Sequence, residues 1–508
     1  LILQIMRHCV NALPKIFRRI SMRFAFHKHR LLVRLLIVLS AWVTTAFAAQ
    51  PEPATTSSAE LRAVWASTLS PCMNSPGEIR DLVAAVRRAN MNTIIAQVRH
   101  RGITYYDSKI EPRAPAIRDQ AGFDPLADLL REAHDTSGGK QRLDVYAWFN
   151  VFNFGKVEGN EALTAAQRKR IPQWLSLSTT GTKTSFLDPA IPAVQDYLLS
   201  LIAECLEKYD IDGVNLDYIR YPEEEAGYHP TAVARFHKLS GGSGIPNPDD
   251  AKWNAFRRAQ VNGFVRRCAA MVWKTKPDVL LTVCATGFGG PSPDGDFTKM
   301  APYKQVQQDW AGWAREGSVD IVTRMGYKRE FVPAHAKMFR DWADLSHRLQ
   351  EGSEGRLVTL GIGGFLNTLE GTLEQYRVAQ RLGHGTSLFS YWRPLKDSDT
   401  SKTLGAESPF WAELAKSVYQ AQAAPPRPDW RKSVGVVSGR AVDPAGKPLD
   451  GVKVVLSGAG MRELPSDGGG WFVFVNLKPG EYTLKVNGAT VDGKKVTVKA
   501  GAVEELKF

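Results

Sequence analysis

Three aspartates stand in the stretch YDIDGVNLDYIRYP, residues 209–222. Asp210 and Asp212 occupy a polar start. Asp217 sits among Val214, Leu216, Tyr218 and Ile219, a run that otherwise reads as a buried strand. A carboxylate there costs free energy unless it is paired or used. Apolar neighbours raise the pKa of such a group, and a raised pKa suits a general acid. Asn215 lies two residues before it, on the same face of a strand by the period-two alternation, and so does Ile219 after it.

Other apolar runs end in groups that would hold a substrate. Arg99 closes TIIAQVR and Asn150 lies in LDVYAWFNVF. A polar group at the end of an apolar strand needs a reason. Arg99 could pair with Asp217 or Glu111, or hold an acidic substituent of a ligand. Trp65, Trp148, Tyr327 and Trp392 also stand near predicted strand ends, where flat rings either stack on sugar faces or pack a core. The histidines are scattered and no pair has ligand spacing, so neither a catalytic metal nor a cofactor is expected.

These residues need elements to bring them together. Apolar, β-branched runs occur at 61–68, 93–99, 143–152, 213–219, 280–288, 320–327, 357–363 and 386–392. Amphipathic stretches alternate with them. The clearest is Val194, Tyr197, Leu198, Leu201, Ile202, Cys205, Leu206 and Tyr209, with helical spacing. Further helices read at 77–89, 124–135, 253–272, 333–350, 368–382 and 409–422. Eight strands alternating with helices predict an α/β fold, a (β/α)8 TIM barrel over 59–420. A doubly wound open sheet is the alternative, but no G-x-G-x-x-G follows a strand and no Walker sequence is present. In a barrel, chemistry sits at the C-terminal strand ends. That places Asp217 at the mouth and Asp210 and Asp212 at the floor. Five residues of strand separate Asp212 from Asp217 by ~16 Å. Paired glycosidase carboxylates stand within about 10 Å. Asp212 is therefore expected to be a turn residue. Asp188, before Pro189 and a helix, is expected to be an N-cap.

The chain of 508 residues carries a formal charge of +13. Residues 1–48 hold eight Lys/Arg and no Asp/Glu, so the remainder carries 13 − 8 = +5. MRFAFHKHRLLVRLLIVLSAWVTTAFA, residues 22–48, has a basic start, an apolar stretch and a small-x-small end. It reads as a secretory signal peptide, with cleavage before Ala49 and a true start at Met22. An uncleaved membrane anchor is the alternative. A polar linker follows over 49–58. Export to the periplasm or cell envelope is expected. No basic stretch interleaved with aromatics suggests nucleic-acid binding. Cys72, Cys205, Cys268 and Cys284 are far apart, without metal spacing.

A Pro-rich linker over 421–432, AQAAPPRPDWRK, ends the helical pattern. Residues 433–508 then read as short alternating strands separated by Gly, Pro, Asn and Asp turns, a small all-β sandwich. This part resembles the carboxypeptidase-regulatory-like domains through Gly439-Arg440, Pro444-Ala445-Gly446, Val452-Lys453-Val454, Asp467-Gly468, Phe472, Phe474, Leu477 and Pro479-Gly480-Glu481-Tyr482. The resemblance implies a non-catalytic module, able to contact envelope protein partners.

The central stretch invites comparison with the family-18 chitinase motif D-x-x-D-x-D-x-E. Asp212, Asn215 and Asp217 align with its acids, but Ile219 occupies the place of the catalytic Glu. Substrate-assisted chitinase chemistry is thus unsupported. DGVNLDYIRYP instead resembles the signature of the glycoside-hydrolase-like family-10 proteins of bacterial envelopes. ELRAVWAST (60–68), NTIIAQVRHRGITYYDSKIEPRA (92–114), DVYAWFNVF (144–152), FLDPAIPAVQDYLLSLIAECLEKYDIDG (186–213), QDWAGWAREGSVDIVTRMGY (308–327) and GTSLFSYW (385–392) continue the match in order. Two stretches depart from the pattern: RMGYKRE lacks a Pro-Gln before the aromatic, and CATGFGG replaces a Ser-Pro-Phe-Gly form. The resemblance implies a glycoside hydrolase with Asp217 as the leading catalytic candidate. Its substrate would be a GlcNAc-containing envelope polysaccharide such as peptidoglycan. Glu111, in SKIEPRA within a matched block, ranks first as the second carboxylate, followed by Glu330 and then Glu223–Glu225. The alternatives are a glycan-binding protein on a barrel without turnover, and a scaffold whose sandwich binds protein partners.

Overall fold

The computed structural model describes residues 59–396, 403–490 and 492–506. The secretory segment expected over 1–48 and the linker over 49–58 lie outside the described residues.

Eight parallel strands close into a barrel: β1 (Arg62–Ala66), β2 (Thr93–His100), β3 (Asp144–Asn150), β4 (Gly213–Asp217), β5 (Leu280–Thr286), β6 (Ile321–Met325), β7 (Leu357–Gly363) and β8 (Thr386–Phe389). Each pairs with the next, and β8 returns to β1 with Phe389 opposite Trp65. Around them run α1 (Pro76–Arg88), α2 (Pro125–His134), α3 (Pro192–Lys208), α4 (Ala251–Thr275), α5 (Trp310–Glu316), α6 (Pro333–Glu351), α7 (Leu369–Arg381) and α8 (Phe410–Ser417). The (β/α)8 barrel expected from the strand count is present.

Alternation along each strand sorts its side chains between two cores. Leu281, Val283 and Ala285 of β5 join the shell between strands and helices. Leu280 and Cys284 enter the barrel interior beside Ala63, Trp65, Ile95, Tyr146 and Trp148. Helix starts follow local chemistry. Ser75 and Asp124 cap α1 and α2 just ahead of Pro76 and Pro125. Asp188 does not cap α3, whose N-cap is Ile191; its Oδ1 instead accepts from Ala190 N at 2.9 Å, in the turn before that helix. The cysteines at 72, 205, 268 and 284 are buried free thiols.

β4 ends at Asp217 because Tyr218 turns to φ 51°, the left-handed region, which costs a non-glycine residue about 1–2 kcal/mol. The face shared by Asn215, Asp217 and Ile219 is therefore interrupted, and Ile219 joins the outer shell. At the floor, Asp212 accepts from Arg142 at 2.7 Å, His134 at 2.9 Å and the Val145 N–H at 2.8 Å. It holds the turn between α3 and β4.

The C-terminal sandwich stacks two sheets. One joins β9 (Gly435–Arg440) to β12 (Trp471–Leu477) and β15 (Val503–Leu506). The other orders β11 (Gly460–Pro465), β10 (Lys453–Gly458), β13 (Gly480–Val486) and β14 (Lys495–Val498). Phe472 and Phe474 fill the space between the sheets. Val473 and Val475, on the opposite face of β12, pack on Ala270 and Trp273 of α4. The connection to the barrel is also packed. Trp430 sits against the barrel-interior cluster, and its Nε1 donates to Asp320 Oδ1 at 2.9 Å. Arg431 pairs with the same carboxylate.

Candidate active site

A cavity of about 430 Å³ opens at the C-terminal ends of the strands. Asp217 lines it and is the single carboxylate among the described lining residues. Its Oδ1 accepts from the Tyr218 N–H at 2.7 Å and its Oδ2 from Trp148 Nε1 at 3.1 Å. Burial pushes its pKa up to about 6, against the opposing pull of the Tyr218 N–H, the Arg220 charge and the Trp148 N–H. The pairing of β3 with β4 sets Asn150 opposite Asp217.

Five residues singled out in the sequence meet here: Asp217, Trp65, Trp148, Asn150 and Tyr327. Gln97 donates to Asn150 Oδ1 at 3.2 Å, while Gln97 Oε1 is held by Ser67 and Thr68. That chain orients the Asn150 amide and leaves its Nδ2 without an acceptor among the described residues. Tyr327 stacks obliquely on Phe389, with ring centres 5.5 Å apart.

Four other expected residues do not line the cavity. Glu111 is 2% exposed and its carboxylate is committed. Arg99 Nε and Nη2 donate to its two oxygens at 2.9 and 2.8 Å, and the Tyr197 hydroxyl donates to Oε1. Placing Glu111 beside Asp217 is thus corrected: it neutralises a buried guanidinium. Arg99 also donates to the Asn150 and Val151 carbonyls, so the pair fixes the end of β3 rather than touching a ligand. Asn215 lies deeper in the barrel, donating to Thr282 Oγ1 at 2.7 Å and accepting from Cys284 Sγ at 3.2 Å. Trp392 packs against the outer shell, beyond the end of β8. Glu330, the second-ranked acid, is tied to Arg340 at 2.6 Å. Glu223–Glu225 are not among the lining residues either.

Several lining residues escaped the sequence reading: His100, Tyr218, Arg220, Phe288 and Lys328. All but His100 lie in loops that follow the strands. Arg220 stood inside the opening motif itself and Lys328 directly after Tyr327, so a charge just beyond a strand end was the available signal. Burial, with Arg101 and Arg99 nearby, lowers the His100 pKa to about 4, so the imidazole is neutral at pH 7.

A larger cavity, about 720 Å³, lies at the seam between α4 and the sandwich. Most of its flanking charges are paired, Arg235 with Asp450, Arg266 with Glu316 and Arg267 with Asp196, while Lys252 forms no ion pair among the described residues. Paired charges favour a structural seam, and the strand-end cavity is the better site.

Comparison with known proteins identifies both domains. The family model for glycosyl hydrolase-like 10 matches residues 60–351, more than half of the chain. That stretch runs from β1 to α6 and contains Asp217. The carboxypeptidase regulatory-like domain matches residues 436–508. Glycosyl hydrolase YngK of Bacillus subtilis is 27% identical over 305 residues, covering 56% of this chain and 57% of that relative's length. Glycosyl hydrolase DigH of Escherichia coli O6:H1 is 26% identical over 347 residues, covering 60% of this chain and 76% of the relative. Among solved structures, the glycoside hydrolase domain of PgaB (BpsB) from Bordetella bronchiseptica aligns at a TM-score of 0.48 and 14% identity, covering 66% of this chain and 94% of that one; the likeness is too weak to bear on function. With the barrel, the strand-end carboxylate and the matched sequence in agreement, the chain belongs to the glycosyl hydrolase-like 10 family.

Proposed function

We propose that the protein is an exported glycoside hydrolase that cleaves glycosidic bonds in a GlcNAc-containing cell-envelope glycan, with peptidoglycan as the leading substrate. The observation that carries this is Asp217: a carboxyl at the barrel mouth whose pKa, raised to about 6, keeps a fraction of it protonated near neutral pH. In that form it donates its proton to the glycosidic oxygen as the bond to the anomeric carbon breaks, and water adds to that carbon and returns a proton to the Asp217 carboxylate. Tyr327 offers a flat face to the sugar, Trp65 and Trp148 border the cavity from the packed barrel interior, and Asn150 Nδ2 supplies a donor. The expectation of export rests on the N-terminal sequence, and that of peptidoglycan on the family resemblance.

The test uses the purified chain from residue 49, incubated with cell-wall sacculi, either intact or stripped of stem peptides, with the released sugars analysed. Release by wild type and its loss in Asp217→Asn support the hydrolase. One observation favours a second reading, a glycan-binding protein without turnover: the described lining holds one carboxylate where most glycosidases use two. Co-sedimentation with sacculi without release, unchanged by Asp217→Asn, would establish it.

A further inference from the structure

The charges at the barrel mouth do not balance. Arg220 and Lys328 line the cavity with Asp217, and His100 beside them is neutral. Arg220 Nη1 donates only to the backbone carbonyls of Tyr221 at 3.1 Å and Pro222 at 3.5 Å. Its guanidinium lies 5.3 Å from the Tyr218 ring centre and 5.9 Å from that of Phe288. Lys328 Nζ donates to the Gly287 carbonyl at 3.2 Å. Among the described residues neither forms an ion pair. Behind the cavity wall a third cation adds to the field. Arg324 is fully buried, close under Gly287 and Gly326, and its Nη1 and Nη2 lack hydrogen-bond partners among the described residues. Burial lowers the pKa of Arg220, only partly offset by Asp217, and burial with the Arg324 charge lowers that of Lys328, so both cations would gain from a further anion.

We propose that Arg220 and Lys328 form an anion subsite in this cavity, and that its substrate is a glycan bearing a carboxylate on or beside the bound sugar. This rests on the reading of the cavity as a glycan site, and it narrows that reading from GlcNAc polymers in general to acidic ones. A planar guanidinium can meet a carboxylate with two parallel hydrogen bonds, and an ammonium close by adds a point charge. Two sources carry this chemistry: the lactyl ether of a muramic acid and the carboxyl of a uronic acid. Arg99, the sequence-based candidate for this task, cannot serve, because Glu111 already occupies it.

Binding separates this proposal from catalysis. Asp217→Asn protein is titrated calorimetrically with peptide-free glycan strands, with the same strands after reduction of their carboxyls to alcohols, with chitooligosaccharides, and with an alternating GlcNAc–uronate oligosaccharide. The expected result is at least about tenfold tighter binding of a carboxylate-bearing strand than of its reduced form, weakening with salt. Adding Arg220→Gln or Lys328→Gln removes most of that preference without weakening binding of the neutral oligosaccharide, and Arg220→Lys restores part of it. Preference for the lactyl or for the uronate strand supports the subsite and identifies its source. Equal affinity for native and reduced strands overturns the subsite and leaves the hydrolase reading to the sugar-release assay. Selective binding with no release by wild type keeps the subsite and removes the hydrolase. Failure to bind any of the four glycans, with an unchanged melting temperature, overturns the subsite.

Discussion

The two ends of the barrel use the same residue types in opposite ways. At the floor, Asp144 and Asp212 face Arg142, Arg427 and His134, and these charges are bonded to one another. Burial pushes the Asp212 carboxyl up, but His134, the Val145 N–H and Arg142 together hold it below the usual range. At the mouth, Asp217 is met by two N–H donors, and among the described residues neither it nor Arg220 nor Lys328 forms an ion pair, although Asp217 and Arg220 feel each other's charge. Satisfied charge at the floor ties loops to strands. Unsatisfied charge at the mouth has a free-energy cost that a structural role would not explain.

The sharpest break of this contrast is Asp217→Asn. Turnover on glycan should fall about a thousandfold, because the amide cannot donate an acidic proton, and the melting temperature should not drop. Retained turnover would remove Asp217 from the chemistry. Glu111→Gln should do the reverse. It leaves Arg99 buried beside a neutral amide, and chemical denaturation should show a loss of about 3–5 kcal/mol. Intact stability with abolished turnover would instead return Glu111 to the reaction. At the floor, Asp212→Asn should cost about 3 kcal/mol at pH 7 while turnover per folded molecule is retained.

Acidity gives the gentler tests. The folded pKa of Asp217, about 6, stands above the ordinary aspartate value of 3.8. Its ionisation penalty is therefore absent below pH 3.8, develops as the pH rises towards 6, and is complete above. Asp217→Asn removes the penalty, so its stability relative to wild type should rise across that window, by roughly 3 kcal/mol at most. Activity of wild type should decline above about pH 6 as the acid is lost. Arg220→Gln takes away a positive charge and raises the Asp217 pKa, moving that alkaline limb upward. Trp148→Phe, which removes one hydrogen bond to the carboxylate, should move it the same way by a fraction of a unit. A downward shift in either variant would contradict the arrangement of charges at the mouth.

The barrel strands were legible because β-branched runs with period two recur between helical periods. β5, LLTVCAT, alternates shell and interior residues as its pattern implies. The short α5 was not legible, since its seven residues span only two turns of periodicity. Trp148 and Asn150 could be placed because they share the inward face of β3 near its end. Arg99 carried the same outward signal, a polar group at the end of an apolar run, and Glu111 stood in a block matching the family. What separates them from Asp217 is that they find each other, one of the two pairings the sequence left open to Arg99, and no local pattern chooses between partners 12 positions apart and further. Lys328 and Arg220 went unread for a related reason. Nothing local tells a cation that faces a cavity from one that faces solvent.

Trp430 has a consequence for anyone who divides this protein. The linker expected over 421–432 reads as a spacer, yet its indole acts as a stopper in the open lower end of the barrel, and Arg431 bolts it to Asp320. A barrel fragment cut after residue 420 would be uncorked, admitting water against Leu61, Leu280 and Leu357. A cut just after Ser433 would keep the stopper, and comparing the two fragments would show how far the barrel depends on a plug carried by the chain that leads out of it.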